Sequence, residues 1–267
     1  MGFFAWLFKR TKPKKITLGL ALGSGGAKGF AELGALKAFE ENDIEFDVIA
    51  GTSIGSIIGA FYANGYSSTD MLEIMRTINF SDVATWLMVN MDTTALNSLL
   101  EKTIGEMTYE ELKKPFRAIG TEFESGNERV FSSGNVAITL CASSSMPPFF
   151  RPVTIDGVRY IDGAFSNSIP ADVVREMGAD FVCAIDLSTQ ESKQSIISKL
   201  IPTYKGKVEN PRAKGYQFSD VMIHPNLENY KATSFRMWHE MYEIGYQTTI
   251  ELIPKIKAEI QKLQKRK

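Results

Sequence analysis

The chain has 267 residues, enough to bury a substantial core in one large domain or one domain with extensions. Its hydrophobic fraction of 44% and charged fraction of 23% are ordinary for a globular protein, and a net charge of -1 supplies no global field to draw it to nucleic acid. Its two cysteines, Cys141 and Cys183, lie in apolar stretches outside any Cys-x-x-Cys pair or Cys/His cluster, which argues against structural zinc and for buried, reduced thiols in a cytoplasmic protein.

Residues 1–15, "MGFFAWLFKRTKPKK", stand apart as a basic and aromatic N-terminal extension. A secretory signal has its charge first and a longer apolar run, and this segment is too short to span a bilayer. It reads either as a frayed terminus or as an interfacial anchor, with aromatics at headgroup level and lysines on anionic lipid.

Ile16 to Leu22 reads as a buried strand, followed by a glycine-rich turn, Gly23 to Gly29, and a helix over Phe30 to Glu41. Phe46 to Ala50 is a second strand, and Ser56 to Ala63 lies on a second helix. This alternation is the grammar of a parallel sheet covered by helices. Ser67 to Asp70 caps a helix over Met71 to Ile78, and residues 80–114 read as mostly helical. A hairpin turns at Glu124-Ser125-Gly126-Asn127, and a helix spans Asn135 to Ser145 until Pro147-Pro148 stops it. Short strands surround Val153 and run from Val158 to Ile161, joined by Asp156-Gly157. A helix over Pro170 to Met177 leads to a strand over Phe181 to Leu187. The polar, proline-containing stretch 189–227 reads as loop. Apolar residues from Phe235 to Leu263 recur at helical steps, giving a long amphipathic helix bent or broken at Pro254. The division is a 1–15 extension, a 16–190 core, a 191–228 irregular region and a 229–267 C-terminal helical segment packed on the core.

Three stretches carry chemistry. Gly51-Thr52-Ser53-Ile54-Gly55 places a serine between glycines where a strand becomes a helix, the setting of a nucleophile elbow, with the helix dipole favouring negative charge. The Gly23–Gly29 turn has two readings. As a dinucleotide phosphate site it begins Gly-x-Gly, but Lys28 occupies the sixth position of that pattern and the glycine falls one later. As an oxyanion hole it offers the Gly25 and Gly26 amides. In a parallel sheet both turns leave the same carboxyl edge of neighbouring strands, which allows the loop and Ser53 to meet in space. Third, Asp162 ends an apolar strand before Gly163-Ala164, which puts a carboxylate at the sheet edge.

"GSGGAKG", "GTSIG" and "DGA" in that order, supported by "ASSSMPPFF" and "IPADVVREMGAD", resemble the patatin-like phospholipases, and within them the small bacterial lipid acyl hydrolases, over roughly Ile16 to Leu187. The resemblance implies a three-layer α/β/α fold with a mainly parallel central sheet. It implies a Ser-Asp dyad: Ser53 as nucleophile, Asp162 as base, Gly25 and Gly26 as oxyanion donors, and Lys28 at the family's basic position. It implies lipid esters as substrate and no metal or organic cofactor. Ser24 departs from the pattern, replacing a glycine and leaving the amide at that position in question.

A histidine-containing triad is the competing arrangement, Ser53 and Asp162 with His224 or His239. A non-catalytic lipid- or anion-binding module using the same glycine turn is a third reading. Ile57, Ile58, Phe61, Met146, Pro147, Phe149 and Phe150 are the residues expected to line an acyl channel.

Overall fold

The computed structural model describes residues 15–77, 92–189 and 210–266. The N-terminal extension, except for Lys15, lies outside the described residues, as do most of the polar stretch after Leu187 and the first part of the 80–114 segment.

An eight-stranded sheet organises the chain. Its strands are β1 (Leu18–Leu22), β2 (Val48–Thr52), β3 (Phe116–Glu122), β4 (Glu128–Phe131), β5 (Val153–Ile155), β6 (Val158–Asp162), β7 (Phe181–Ile185) and β8 (Val221–Ile223). The spatial order is β5-β6-β3-β2-β1-β7-β8, with β4 paired to β3. The run from β3 through β2, β1 and β7 to β8 is parallel, whereas β4, β5 and β6 join by antiparallel pairing. Long crossovers are needed between parallel neighbours, and helices fill them. The α-helices among the described residues are α1 (Gly29–Glu40), α2 (Ile54–Ala63), α3 (Ser68–Thr77), α4 (Thr94–Ile104), α5 (Val136–Ser143), α6 (Ala171–Glu176), α7 (Ala213–Phe218) and α8 (Trp238–Arg266).

The central strands are buried on both faces, so they read as continuous apolar runs. Their period of two still sorts side chains between two layers. Leu20, Leu22, Ile49, Cys183 and Ile185 face a core shared with Phe30, Leu33 and Phe39 of α1, Ile58 of α2 and Ile256 of α8. Ala21, Val48, Ala50, Val182 and Ala184 face a second core with Val173 and Val174 of α6. The result is three-layered, helices on a mainly parallel sheet on helices.

Helix α8 lies against α1 at backbone contact distance. A methyl group on Gly34 would sit 2.0 Å from the Tyr242 carbonyl, and one on Gly245 would sit 2.0 Å from the Ala31 carbonyl. Only glycine at both positions allows that approach.

Two readings of the sequence are corrected here. The 191–228 region is not wholly irregular where it is described, because α7 and the sheet-edge strand β8 lie within it. Six and three residues are too few to show a period. Nor does α8 break: it is one helix of 29 residues that passes through Pro254, held on both sides of it by the buried Ile253 and Ile256.

Candidate active site

The site forms where β2 turns into α2. Gly51 and Gly55 are required by crowding: a Cβ on Gly51 would lie 2.2 Å from the Gly55 carbonyl, and one on Gly55 would lie 2.6 Å from the Leu22 and Gly23 carbonyls. Between them Ser53 takes φ 56° and ψ −125°, a backbone region that L side chains rarely adopt. Such a conformation costs about 1–3 kcal/mol and persists only where its surroundings fix it. They do so here. The Ser53 N–H donates to Ser143 Oγ at 3.0 Å, and its carbonyl accepts from the Ser56 hydroxyl at 2.6 Å and the Ser56 N–H at 2.9 Å.

The turn aims the Ser53 hydroxyl at Asp162, and Oγ donates to Oδ2 at 2.6 Å. Asp162 is the last residue of β6 and is wholly buried. Every polar group on it is used. Its N–H donates to the Ser145 carbonyl at 3.0 Å, its carbonyl accepts from Thr121 Oγ1 at 2.9 Å, and Oδ1 accepts from the Ala164 N–H at 2.8 Å. Burial pushes the carboxyl up from the ordinary 3.8 to about 7, against the lowering effect of the Ser53 and Ala164 hydrogen bonds. That suits proton transfer at neutral pH far better than a free carboxylate does.

The glycine-rich turn after β1 lies directly beside this pair. Gly23 abuts Gly55, and Gly29, the first residue of α1, abuts Ile54: a Cβ on Gly29 would lie 2.4 Å from Ile54 Cγ1. Gly25 packs on Leu187 and Gly26 on Ala232, leaving no room for a Cβ at either, and Gly26 has φ +58°. Among the described residues no hydrogen bond takes up the Gly25 or Gly26 N–H, whereas the Ser24 N–H donates to the Ser168 carbonyl at 3.0 Å and the Ala27 N–H to the Ala232 carbonyl at 2.8 Å. The amide at the serine departure is therefore engaged within the fold and not free for the site. Lys28 is buried, and burial lowers its pKa against the raising effect of Asp186.

Neither histidine joins the pair. His224 Nε2 meets the Ser188 carbonyl at 3.1 Å and Nδ1 meets the Tyr216 hydroxyl at 3.4 Å, while His239 stacks edge-on against Trp238. The apolar residues expected to line a channel are dispersed. Ile58 and Phe61 are buried in the main core, Met146 packs with Ile161 and Phe165, and Phe149 is 60% exposed.

Sequence reasoning missed Ser143, which holds the Ser53 amide from 90 residues away. It also missed Glu32, whose Oε1 accepts from the Gly23 N–H at 2.8 Å. An acid inside the apolar run "FAELGALKAF" was the available signal for Glu32. "ASSSMPP" drew notice only as a supporting motif.

A mainly parallel three-layer α/β sheet with a serine elbow on its carboxyl edge, facing a buried aspartate, defines the class. Residues 20–175 match the family described as patatin-like phospholipase, and the chain belongs to that family. It is 28% identical over 273 residues to patatin-like phospholipase domain-containing protein 6 of Mus musculus, covering 86% of this chain and 20% of that protein. It is 26% identical over 281 residues to lysophospholipase nte1 of Aspergillus fumigatus, covering 91% of this chain and 18% of that protein. The chain thus spans about a fifth of the length of these curated relatives. In fold it is similar to VipD from Legionella pneumophila, with a TM-score of 0.58 at 15% identity over 91% of this chain and 67% of that one.

Proposed function

We propose that the chain is a serine acyl hydrolase of lipid esters, of the phospholipid or lysophospholipid class, working through Ser53 and Asp162. The 2.6 Å hydrogen bond from the Ser53 hydroxyl to a buried carboxyl carries this reading. Family membership and the similarity to a lysophospholipase support the substrate class.

The chemistry follows from the placement. As Ser53 Oγ attacks the ester carbonyl carbon, Asp162 takes the hydroxyl proton. The Gly25 and Gly26 N–H groups hold the oxyanion. Collapse breaks the ester C–O bond, and Asp162 returns the proton to the leaving alkoxide, leaving an acyl group on Ser53. A water then attacks that acyl carbon and gives its proton to Asp162. The second collapse frees the fatty acid and restores the Ser53 hydroxyl. The N-terminus of α2 favours the negative charge that develops on the attacking oxygen.

Intact mass after exposure to a fluorophosphonate tests the pair, alongside release of fatty acid from lysophosphatidylcholine. One adduct on wild type, absent from folded S53A and D162N, is the expected result, with H224A and H239A labelling as wild type. No adduct and no release from folded wild type would favour a lipid-binding module. Loss of labelling in H224A or H239A would restore the triad.

We propose further that residues 1–15 bring the chain to the membrane surface from the cytoplasm. Their apolar-then-basic order and the two buried free thiols support that placement. No helix among the described residues is long and apolar enough to cross a membrane. Equal sedimentation with anionic liposomes by the full chain and by a chain lacking residues 1–15 would remove this proposal.

A further inference from the structure

One buried acid has no part in the chemistry above. Glu32, in the first turn of α1, is wholly buried; Oε1 accepts from the Gly23 N–H at 2.8 Å, and Oε2 has no hydrogen-bond partner among the described residues. A side chain in a helix leans toward the helix N-terminus, which here directs Glu32 back under the turn that precedes its own helix.

The residue it grips, Gly23, is the one on which the two halves of the site meet. Gly23 is wedged against β7, since a Cβ there would lie 2.6 Å from the Ile185 carbonyl. Its own carbonyl lies 2.6 Å from the Cβ position of Gly55, the residue that closes the serine elbow. One residue, Gly23, therefore touches Glu32 through its N–H and the α2 side through its carbonyl, and leads within two residues to Gly25. We propose that Glu32 is the positioning residue of the glycine turn, its carboxyl fixing where the Gly25 and Gly26 amides stand relative to Ser53. The inference rests on the acyl-hydrolase reading.

Burial pushes the Glu32 carboxyl well above the ordinary carboxylate range, against the lowering effect of the Gly23 amide, which favours its protonated form. A neutral acid and an amide have the same shape and both offer a carbonyl acceptor. Glu32→Gln keeps the grip; Glu32→Met fills the volume but leaves the Gly23 N–H unpaired; Glu32→Asp withdraws the acceptor by one methylene and spares the fold if Met does not.

The test is steady-state hydrolysis of p-nitrophenyl butyrate together with the rate of fluorophosphonate labelling. Misplaced oxyanion donors cost rate in the transition state, so E32M and E32D are expected to lower kcat about 10- to 100-fold with KM held within about twofold. E32Q is expected to keep kcat within about threefold of wild type. Wild-type kcat in folded E32M or E32D, whatever their thermal stability, would overturn the positioning role, as would an E32Q as slow as E32M. A wild type inert to both reagents would instead refute the acyl-hydrolase reading.

Discussion

Replacing Asp162 by asparagine should make the protein both inactive and, at alkaline pH, more stable. Complete burial pushes this carboxyl from the ordinary 3.8 to about 7, and the hydrogen bonds from Ser53 and Ala164 do not offset that. The folded state therefore holds the proton more tightly than the unfolded chain does. The resulting stabilisation is fully present below about pH 4 and declines as pH rises, until it is gone above about pH 7. Across that window of roughly three pH units, at about 1.4 kcal/mol per unit, the folded state forfeits up to about 4 kcal/mol. An asparagine side chain does not titrate, so D162N lacks the decline. Its Oδ1 still accepts from the Ala164 N–H and its amide faces Ser53 Oγ. Urea unfolding of both proteins at pH 4, 5.5, 7 and 8.5 gives the comparison. The difference in unfolding free energy, D162N minus wild type, should climb through that range and level off near pH 8, with the variant then the more stable. Wild-type kcat/KM should rise with pH through a half-maximum near 7, because the base must be ionised to act. A pH-independent stability difference, or activity titrating near 4, would refute a buried, proton-retaining Asp162.

Ser53→Gly should be more stable than Ser53→Ala by about 1–2 kcal/mol in urea unfolding, a reversal of the usual order, because only glycine relieves a φ of 56° and both variants lose the hydroxyl equally. Ser143→Ala leaves the Ser53 N–H buried and unpaired, so unfolding should become easier by about 1–3 kcal/mol, and kcat should fall about tenfold as the elbow loosens. Gly34→Ala should lower the unfolding free energy by at least about 2 kcal/mol, since the new methyl group would lie 2.0 Å from the Tyr242 carbonyl and force α8 off α1.

Most elements were legible in the sequence, from apolar runs, helical steps and turn residues: β1 to β7 with the β3–β4 hairpin, α1 to α3, α5, α6 and α8. Their ends were less so. The second strand reads as Phe46 to Ala50 but runs from Val48 to Thr52, because Phe46 is buried by lying beside Phe39 and giving its N–H to the Tyr62 hydroxyl, outside the sheet. Hydrophobicity alone does not separate a buried lead-in from a strand. The serine elbow is a local motif, visible as five residues, and it was found from the residues themselves. Asp162 is a different case. An aspartate before glycine marks many turns; its place at the end of an apolar strand made it a candidate, and the order of motifs along the chain gave it the role of base. Ser143 was invisible as part of the site, and Glu32 showed only as an acid in an apolar run without a partner, because their contacts are made by folding. One reaches the elbow from α5 and the other reaches back across the glycine turn, and neither residue type announces such a bond.

The structure places two costs side by side, the unusual backbone of Ser53 and the burial of Asp162, and one element holds both residues. The end of α5 supplies Ser143 Oγ to the Ser53 N–H and the Ser145 carbonyl to the Asp162 N–H. The serine and the carboxyl arrive from β2 and β6, strands that never pair with each other and flank β3. The turn after α5 is thus what ties their backbones to a common support, and Ser145 is itself pinned through its hydroxyl to the Cys141 carbonyl at 2.8 Å. A histidine between serine and carboxylate supplies a near-neutral base by its own chemistry. In the proposed mechanism burial does that work on the aspartate, whose carboxyl it pushes up to about 7, and burial of a charge is sustained only by a surround that cannot open. Loosening the end of α5 should therefore let water reach Asp162, lower the pH at which activity is half-maximal, and reduce kcat. A Ser143→Ala pH profile that moved toward acid as kcat fell would support that coupling; one that kept its midpoint near 7 would confine the role of Ser143 to the elbow.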